Sequence, residues 1–126
     1  MRTITITIGS ISIRAELFDT PTADAIYAAL PFDAGANTWG DEVCFSTPVH
    51  VGLEPDDRDV VEAGELSFWI EGDSIASGFG PTPISQGDEI RLAARTNIWG
   101  QALDDVYQLK SVSSGAAIHV QAGGAQ

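Results

Sequence analysis

His50 and His119 are the only histidines in the chain, and Cys44 is the only cysteine. Zinc needs three or four nitrogen, sulfur or oxygen ligands converging on one point. His50 is followed by Glu54, Asp56, Asp57 and Asp59, but that spacing matches no zinc pattern. It also lacks the alternating ligands, central glycine and terminal glutamate of an EF-hand loop, so no metal site is expected. Serines are plentiful, yet none stands in G-x-S-x-G. Asp41-Glu42 and Asp104-Asp105 are adjacent carboxylates of the kind that acid–base catalysis uses. Asp41 reads as a turn residue, whereas Glu42 adjoins Trp39 and opens a strand, which keeps it a candidate. A lone cysteine rules out an intramolecular disulfide. With no helix start or cation nearby, Cys44 reads as a small buried hydrophobe.

The aromatic residues form the other constellation. Trp39-Gly40 and Trp99-Gly100 each place a tryptophan before a glycine, and both read as strand ends. Tryptophan serves well as the flat wall of a pocket. Asn97, two residues before Trp99, shares its side of a strand, which pairs a hydrogen-bonding amide with a stacking surface. Gly78-Phe79-Gly80-Pro81-Thr82-Pro83 cannot be regular strand interior, because proline cannot donate to a ladder. It reads as a barrel corner or as the rim of a ligand site. It has no lysine and no G-x-G-x-x-G or Walker pattern, so neither a phosphate cradle nor a cofactor is expected.

The elements that must position these residues are mostly strands. Thr3 to Ile8 alternate strictly with period two, and alternation resumes at Ile11, Ile13, Ala15 and Leu17. The Gly9-Ser10 pair between them predicts a hairpin with a type II′ turn. Thr20 as N-cap and Pro21 at the first helical position predict a helix, with Ala23, Ile26, Tyr27 and Leu30 on one face and Pro31 ending it. Further strands are predicted at Val43–Phe45, Leu66–Ile70, Ile75–Phe79, Ile90–Ala94 and around Ile118–Val120. The acidic stretch from Glu54 to Glu62 reads as a surface loop. Leu103, Val106 and Tyr107 have the spacing of one short helix. Ala122 to Gln126 are expected to fray.

At 126 residues the chain fits one domain, 1–126, with an ordered core of about 3–121. A hydrophobic fraction of 44% is enough for a core and too high for a disordered chain. The net charge of −12 comes from 18 acidic against 6 basic residues. Such a surface repels polyanions, so neither nucleic acid nor an anionic membrane is an expected partner. No apolar run approaches a membrane span. The N-terminus alternates from the start and has no signal-peptide block, so a cytoplasmic location is expected.

Several stretches resemble known sequences. Gly9 to Ala23 is similar to the opening strand, acidic-Pro turn and helix of cyclophilins. Cys44-Phe45-Ser46-Thr47 resembles their Phe-His-Arg strand, and Gly64-Glu65-Leu66-Ser67-Phe68 their Gly-x-Leu-Ser-Met stretch. Trp39-Gly40-Asp41-Glu42-Val43 and Phe79-Gly80-Pro81-Thr82-Pro83-Ile84-Ser85 look like the hallmarks of short prokaryotic cyclophilin-like proteins. The resemblance implies a mainly β fold: a closed eight-stranded barrel with one or two short capping helices. Cyclophilins isomerise X-Pro bonds with an arginine on the strand after the phenylalanine. The position that lines up here is Thr47, and no Gln-Gly-Gly or Gln-Phe-Phe stretch follows. Losing one preorganised donor typically costs about 3 kcal/mol of transition-state stabilisation, so the reading leans away from an enzyme. The expected role is a binding module for a peptide or a small molecule, lined by Trp39, Glu42, Phe45, Phe79, Thr82, Asn97 and Trp99. A divergent peptidyl-prolyl isomerase and a self- or partner-assembling interaction domain are the alternatives. The residues do not choose between monomer and homo-oligomer.

Overall fold

The structure is a computed structural model and describes residues 2–123. It opens with β1 (Thr3–Ile8) and β2 (Ile11–Leu17). Ile8 pairs with Ile11, which leaves Gly9-Ser10 as a two-residue loop with Gly9 at φ +60°. Glycine tolerates that conformation and the turn needs it. Ile4, Ile6 and Ile8 of one strand and Ile13, Ala15 and Leu17 of the other are all buried. Next comes α1 (Pro21–Ala29), where the Thr20 side chain accepts from the Ala23 N–H and Pro21 stands at the start. Thr22, Ala23 and Ile26 face inward, while Tyr27 and Leu30 are half-buried at the margin.

The next run is one the sequence pattern did not mark as strand. β3 (Phe32–Gly35) and β4 (Asn37–Thr38) are separated only by Ala36. β5 (Glu42–Ser46), β6 (Arg58–Val61), β7 (Glu65–Trp69), β8 (Ser74–Gly78), β9 (Ile90–Ala102) and β10 (Ala117–Ala122) follow. The neighbour order is β3-β10-β1-β2-β9-β7-β8-β5-β4, and each pairing is antiparallel. Because β3 and β4 are consecutive in the chain, the two ends of this order meet and the barrel all but closes. Ala36 makes the hand-over: its N–H donates to the Ala116 carbonyl at 2.8 Å, and its carbonyl accepts from the Gly115 N–H at 2.7 Å. Nine strands lie on the path. Taken as one run, β3 and β4 reduce it to the eight staves that the family resemblance implies.

Two expectations change. The acidic stretch from Glu54 to Glu62 contains β6, which pairs with the first half of β9 through Arg58–Thr96, Val60–Arg91 and Val61–Ile90. Arginines make this possible: Arg58 binds Glu65, Arg91 binds Asp59 and Glu89, and Arg95 binds Asp57. The β6–β9 ribbon lies over the outer face of β8 and encloses a second, small core of Val61, Ile90 and Leu92. Gly78 sits beneath it, where a Cβ would collide with the Ile90 side chain at 2.5 Å. The expected helix near residue 106 is a 3-10 helix, Val106–Ser111, capped by the Asp105 side chain. Three residues per turn put Val106 and Leu109 inward, while Leu103 and Tyr107 are exposed. At the C-terminus Ala122 still belongs to β10, and the Gly123 N–H donates to Thr3 at 2.7 Å. The rest of the segment expected to fray, 124–126, lies outside the described residues.

The closeness of β2 to β9 can be tested. A Cβ on Gly100 would meet the Glu16 carbonyl oxygen at 2.8 Å, whereas one on Gly35 would meet nothing within 4 Å. Gly100→Ala is therefore expected to destabilise by about 1–3 kcal/mol in urea unfolding, and Gly35→Ala by no more than about 0.5 kcal/mol. Equal effects would refute the tight β2–β9 approach.

Candidate functional site

Strand alternation sorts the wall into two faces. In β5, Val43 and Phe45 turn into the barrel with the main core, and Glu42 and Cys44 turn outward. In β8 the outward positions are Ser74 and Ala76, which the ladder places beside Ser46 and Cys44. The ribbon does not lie flush on this outer face. Between them a cleft of about 220 Å³ opens. Its wall side is Glu42, Cys44, Ser74 and Ala76; its ribbon side is Leu92, Ala93, Ala94 and Thr96; Trp39 and Trp69 complete the lining.

Glu42 is the only ionisable carboxyl in that lining and is 6% exposed. Its side chain makes no hydrogen bond or ion pair with another described residue. Burial among apolar neighbours penalises the charged form and pushes its pKa from 4.5 up to about 7. The Cys44 thiol beside it is pushed up to about 11, by burial first and by the Glu42 charge second. Cys44 therefore stays a protonated, unreactive thiol at neutral pH. Three of the other polar groups are already engaged. The Thr96 hydroxyl donates to the Arg58 carbonyl at 2.9 Å, the Ser74 hydroxyl to the Gly72 carbonyl at 2.9 Å, and the Trp69 indole N–H to Glu71 at 3.2 Å. Trp69 lies against Gly72, where a Cβ would run into its ring.

Of the seven residues singled out from sequence, Trp39 and Glu42 line this cleft. The other five are placed elsewhere. Phe45 and Phe79 belong to the interior core. Glu42 and Phe45 are three apart on one strand, so they cannot share a face, and the alternation rule already implied as much. Trp99 is fully buried rather than at a strand end, because β9 runs on to Ala102, and its indole N–H has no partner among the described residues. Asn97, 1% exposed, is a tether. Its amide donates to the Thr22 hydroxyl and the Gly52 carbonyl, both at 2.9 Å, and its oxygen accepts from the Glu54 N–H at 2.8 Å. The Glu54 carboxylate in turn takes the Thr22 N–H at 3.0 Å and the Thr22 hydroxyl. That links β9, the 52–54 loop and the start of α1.

Thr82 is also structural. Its hydroxyl donates to the Arg91 carbonyl, and its N–H donates to the Ser85 hydroxyl at 2.9 Å. The segment around it packs on the Trp39-Gly40-Asp41 turn. Asp41 N–H donates to Pro81 at 3.0 Å and Phe79 N–H to Asp41 at 2.9 Å. Gly40, at φ +59°, has Pro83, Thr82 and Pro81 so close that a Cβ would lie within 3.0 Å of each. The two hallmark motifs are thus the two halves of one corner, which holds Trp39 and Glu42 at the cleft. Thr47, which by sequence resemblance lines up with the cyclophilin arginine, does not line the cleft. Its hydroxyl donates to the Asp73 carbonyl at 2.8 Å and accepts from the Val49 N–H at 3.1 Å, as a turn residue does. His50 and His119 pair separately with Asp73 and Asp33. Among the described residues no three His, Cys, Asp or Glu side chains gather in a metal-binding group. No helix among them is long and apolar enough to cross a membrane.

A family model described as cyclophilin-like matches residues 2–121. The solution structure of a hypothetical protein from Archaeoglobus fulgidus is 38% identical, with a TM-score of 0.81, over 95% of this chain and 93% of that one. No curated protein matches the chain.

Two substitutions separate tether from lining. Asn97→Ala removes three hydrogen bonds and leaves the Gly52 carbonyl and the Glu54 N–H without their partner, while Thr22 keeps Glu54, so a loss of about 1–3 kcal/mol in urea unfolding is expected. A loss below about 0.5 kcal/mol would make Asn97 a free ligand contact after all. Glu42 behaves oppositely. The folded protein keeps its proton at pH values where the unfolded chain has released it, so its contribution to stability falls as pH rises from about 4.5 through 7. Glu42→Gln is expected to be more stable than the parent by roughly 1–3 kcal/mol at pH 8 and no more stable at pH 4. A pH-independent difference would contradict the buried, unpartnered carboxyl.

Proposed function

The chain belongs to the cyclophilin-like family, and from that premise we propose that it is a binding module whose outer-wall cleft receives one small apolar group. The group is either a free small molecule or a single side chain of a peptide. The observation that carries this reading is the cleft itself, walled by Trp39, Trp69, Leu92 and alanines around one carboxyl with no partner among the described residues. Ligand sites are concave, mostly apolar and carry a few orienting polar groups. A volume of about 220 Å³ falls below the roughly 300–1,000 Å³ of drug-sized pockets. It therefore suits a residue-sized moiety.

The same geometry favours binding over prolyl isomerisation. X-Pro rotation faces a barrier of about 18–20 kcal/mol, and a cation near the amide is the group that cyclophilins bring to it. No arginine or lysine is in the cleft lining. Thr47 carries no charge, and its hydroxyl is committed to the backbone.

An NMR fragment screen on the full chain tests the reading. Fragments that bind are expected to shift the amides of Cys44 and Ala76 on the wall and of Leu92, Ala93 and Ala94 on the ribbon. The amides of Phe45 and Trp99 are expected to stay unmoved. Ala94→Phe, which fills the cleft from its half-buried ribbon side, is expected to abolish those shifts while the protein stays folded. Fragments that perturb some other surface, with the cleft amides silent, would overturn the proposal.

A further inference from the structure

Resting on the cleft reading above, we propose that the ligand this cleft selects is an organic cation: a protonated amine on a compact apolar body, with Glu42 as its counter-ion. The lining is one-sided in hydrogen bonding. The donors of Thr96, Ser74 and Trp69 are spent on Arg58, Gly72 and Glu71. What remains to donate is the Trp39 indole N–H and the weak Cys44 thiol. What remains to accept is the Glu42 carboxyl, which no described residue satisfies, together with the hydroxyl oxygens of Thr96 and Ser74. A buried carboxylate is costly unless a cation with its own N–H groups meets it, and none of the described residues supplies one. The nearest ribbon arginines, Arg91 and Arg95, do not line the cleft and are held by Asp59, Glu89 and Asp57. Anionic ligands find no cation in the lining. Two further features favour a positive charge: the indole rings of Trp39 and Trp69, whose faces attract cations, and the net charge of −12, which raises cation concentration near the surface.

Proton linkage makes the idea measurable. The titratable group facing Glu42 from its own strand is Cys44, which stays protonated. Across the ladder β8 presents Gly78 and Ala76, and β9 presents Leu92, Ala93, Ala94 and Thr96, none of which titrates. Glu71 reaches the lining only through the Trp69 indole. Binding a cation must therefore expel the proton that burial holds on Glu42 near pH 7. Affinity for an amine that is charged throughout should rise about tenfold from pH 6 to pH 8.

The test titrates the full chain with cyclohexylammonium and with its neutral counterpart cyclohexanol, following the amides of Cys44, Ala76 and Ala94 at both pH values. At pH 8 the amine is expected to bind at least about tenfold more tightly than the alcohol, and Glu42→Gln to remove that preference. If the alcohol binds as well as the amine, the cation proposal falls and the cleft reading stands. If neither shifts those amides, both fall. Amine binding that is flat with pH, or undiminished in Glu42→Gln, overturns the proposal. Should that variant fail to fold, the pH profile of the parent protein still decides.

Discussion

A strand offers hydrogen bonds along two edges, and the run from Phe32 to Thr38 divides its own between two neighbours. Its first half pairs with β10 and its second with β5, with Ala36 bonded to Gly115 and Ala116 at the change-over. The wall is continuous because of this run. Without it β10 and β5 would each present an unpaired edge, which invites aggregation. With it the interior can be filled mainly by apolar side chains such as Ile4, Ile26, Phe68 and Trp99. A closed wall also has a definite outside, and the cleft is a feature of that outer face.

The cleft exists because a second layer covers part of the wall. β9 is long enough to serve in the barrel with its C-terminal half and in the ribbon with its N-terminal half. The ribbon seals down where Gly78 allows Ile90 to approach, and stands away where Cys44, Ser74 and Ala76 leave room. Small side chains on both sides keep the gap open. The carboxyl of Glu42 is set in that gap by the ladder and the Trp39–Asp41 turn, which the Phe79–Pro83 corner supports from behind. A residue with a strong desolvation penalty is thus held by structure that gains nothing from its charge. Such local conflict between stability and placement is characteristic of functional sites.

The stretches that resemble cyclophilins in sequence, the opening hairpin, the capped helix and the Leu66–Phe68 strand, build the barrel. The cleft lies on the outer face, where Glu42 stands with no arginine in the lining, and Thr47 serves a turn. One scaffold can carry unrelated chemistry in this way, because the interior is constrained by packing and the exterior is not.

Local pattern was sufficient wherever a residue's fate depends on its immediate neighbours. Period-two alternation marked β1, β2, β7 and the first part of β9, Gly9-Ser10 marked the hairpin, and Thr20-Pro21 marked the start of α1. The hallmark motifs marked the corner and the two cleft residues attached to it, Trp39 and Glu42. Long-range pairing decided the rest. β3 and β4 carry no strong alternation and become strand only because β10 and β5 are there to pair with. β6 sits in a stretch whose acidic residues look solvated until Arg58, Arg91 and Arg95 are brought beside them. Asn97 and Trp99 look like a binding pair in one dimension, yet α1 and the 52–54 loop close over Asn97, and the core encloses Trp99. The amino-acid order specifies which side of each strand a residue takes. Whether that side meets water, a cleft or another layer depends on what the folded chain lays against it.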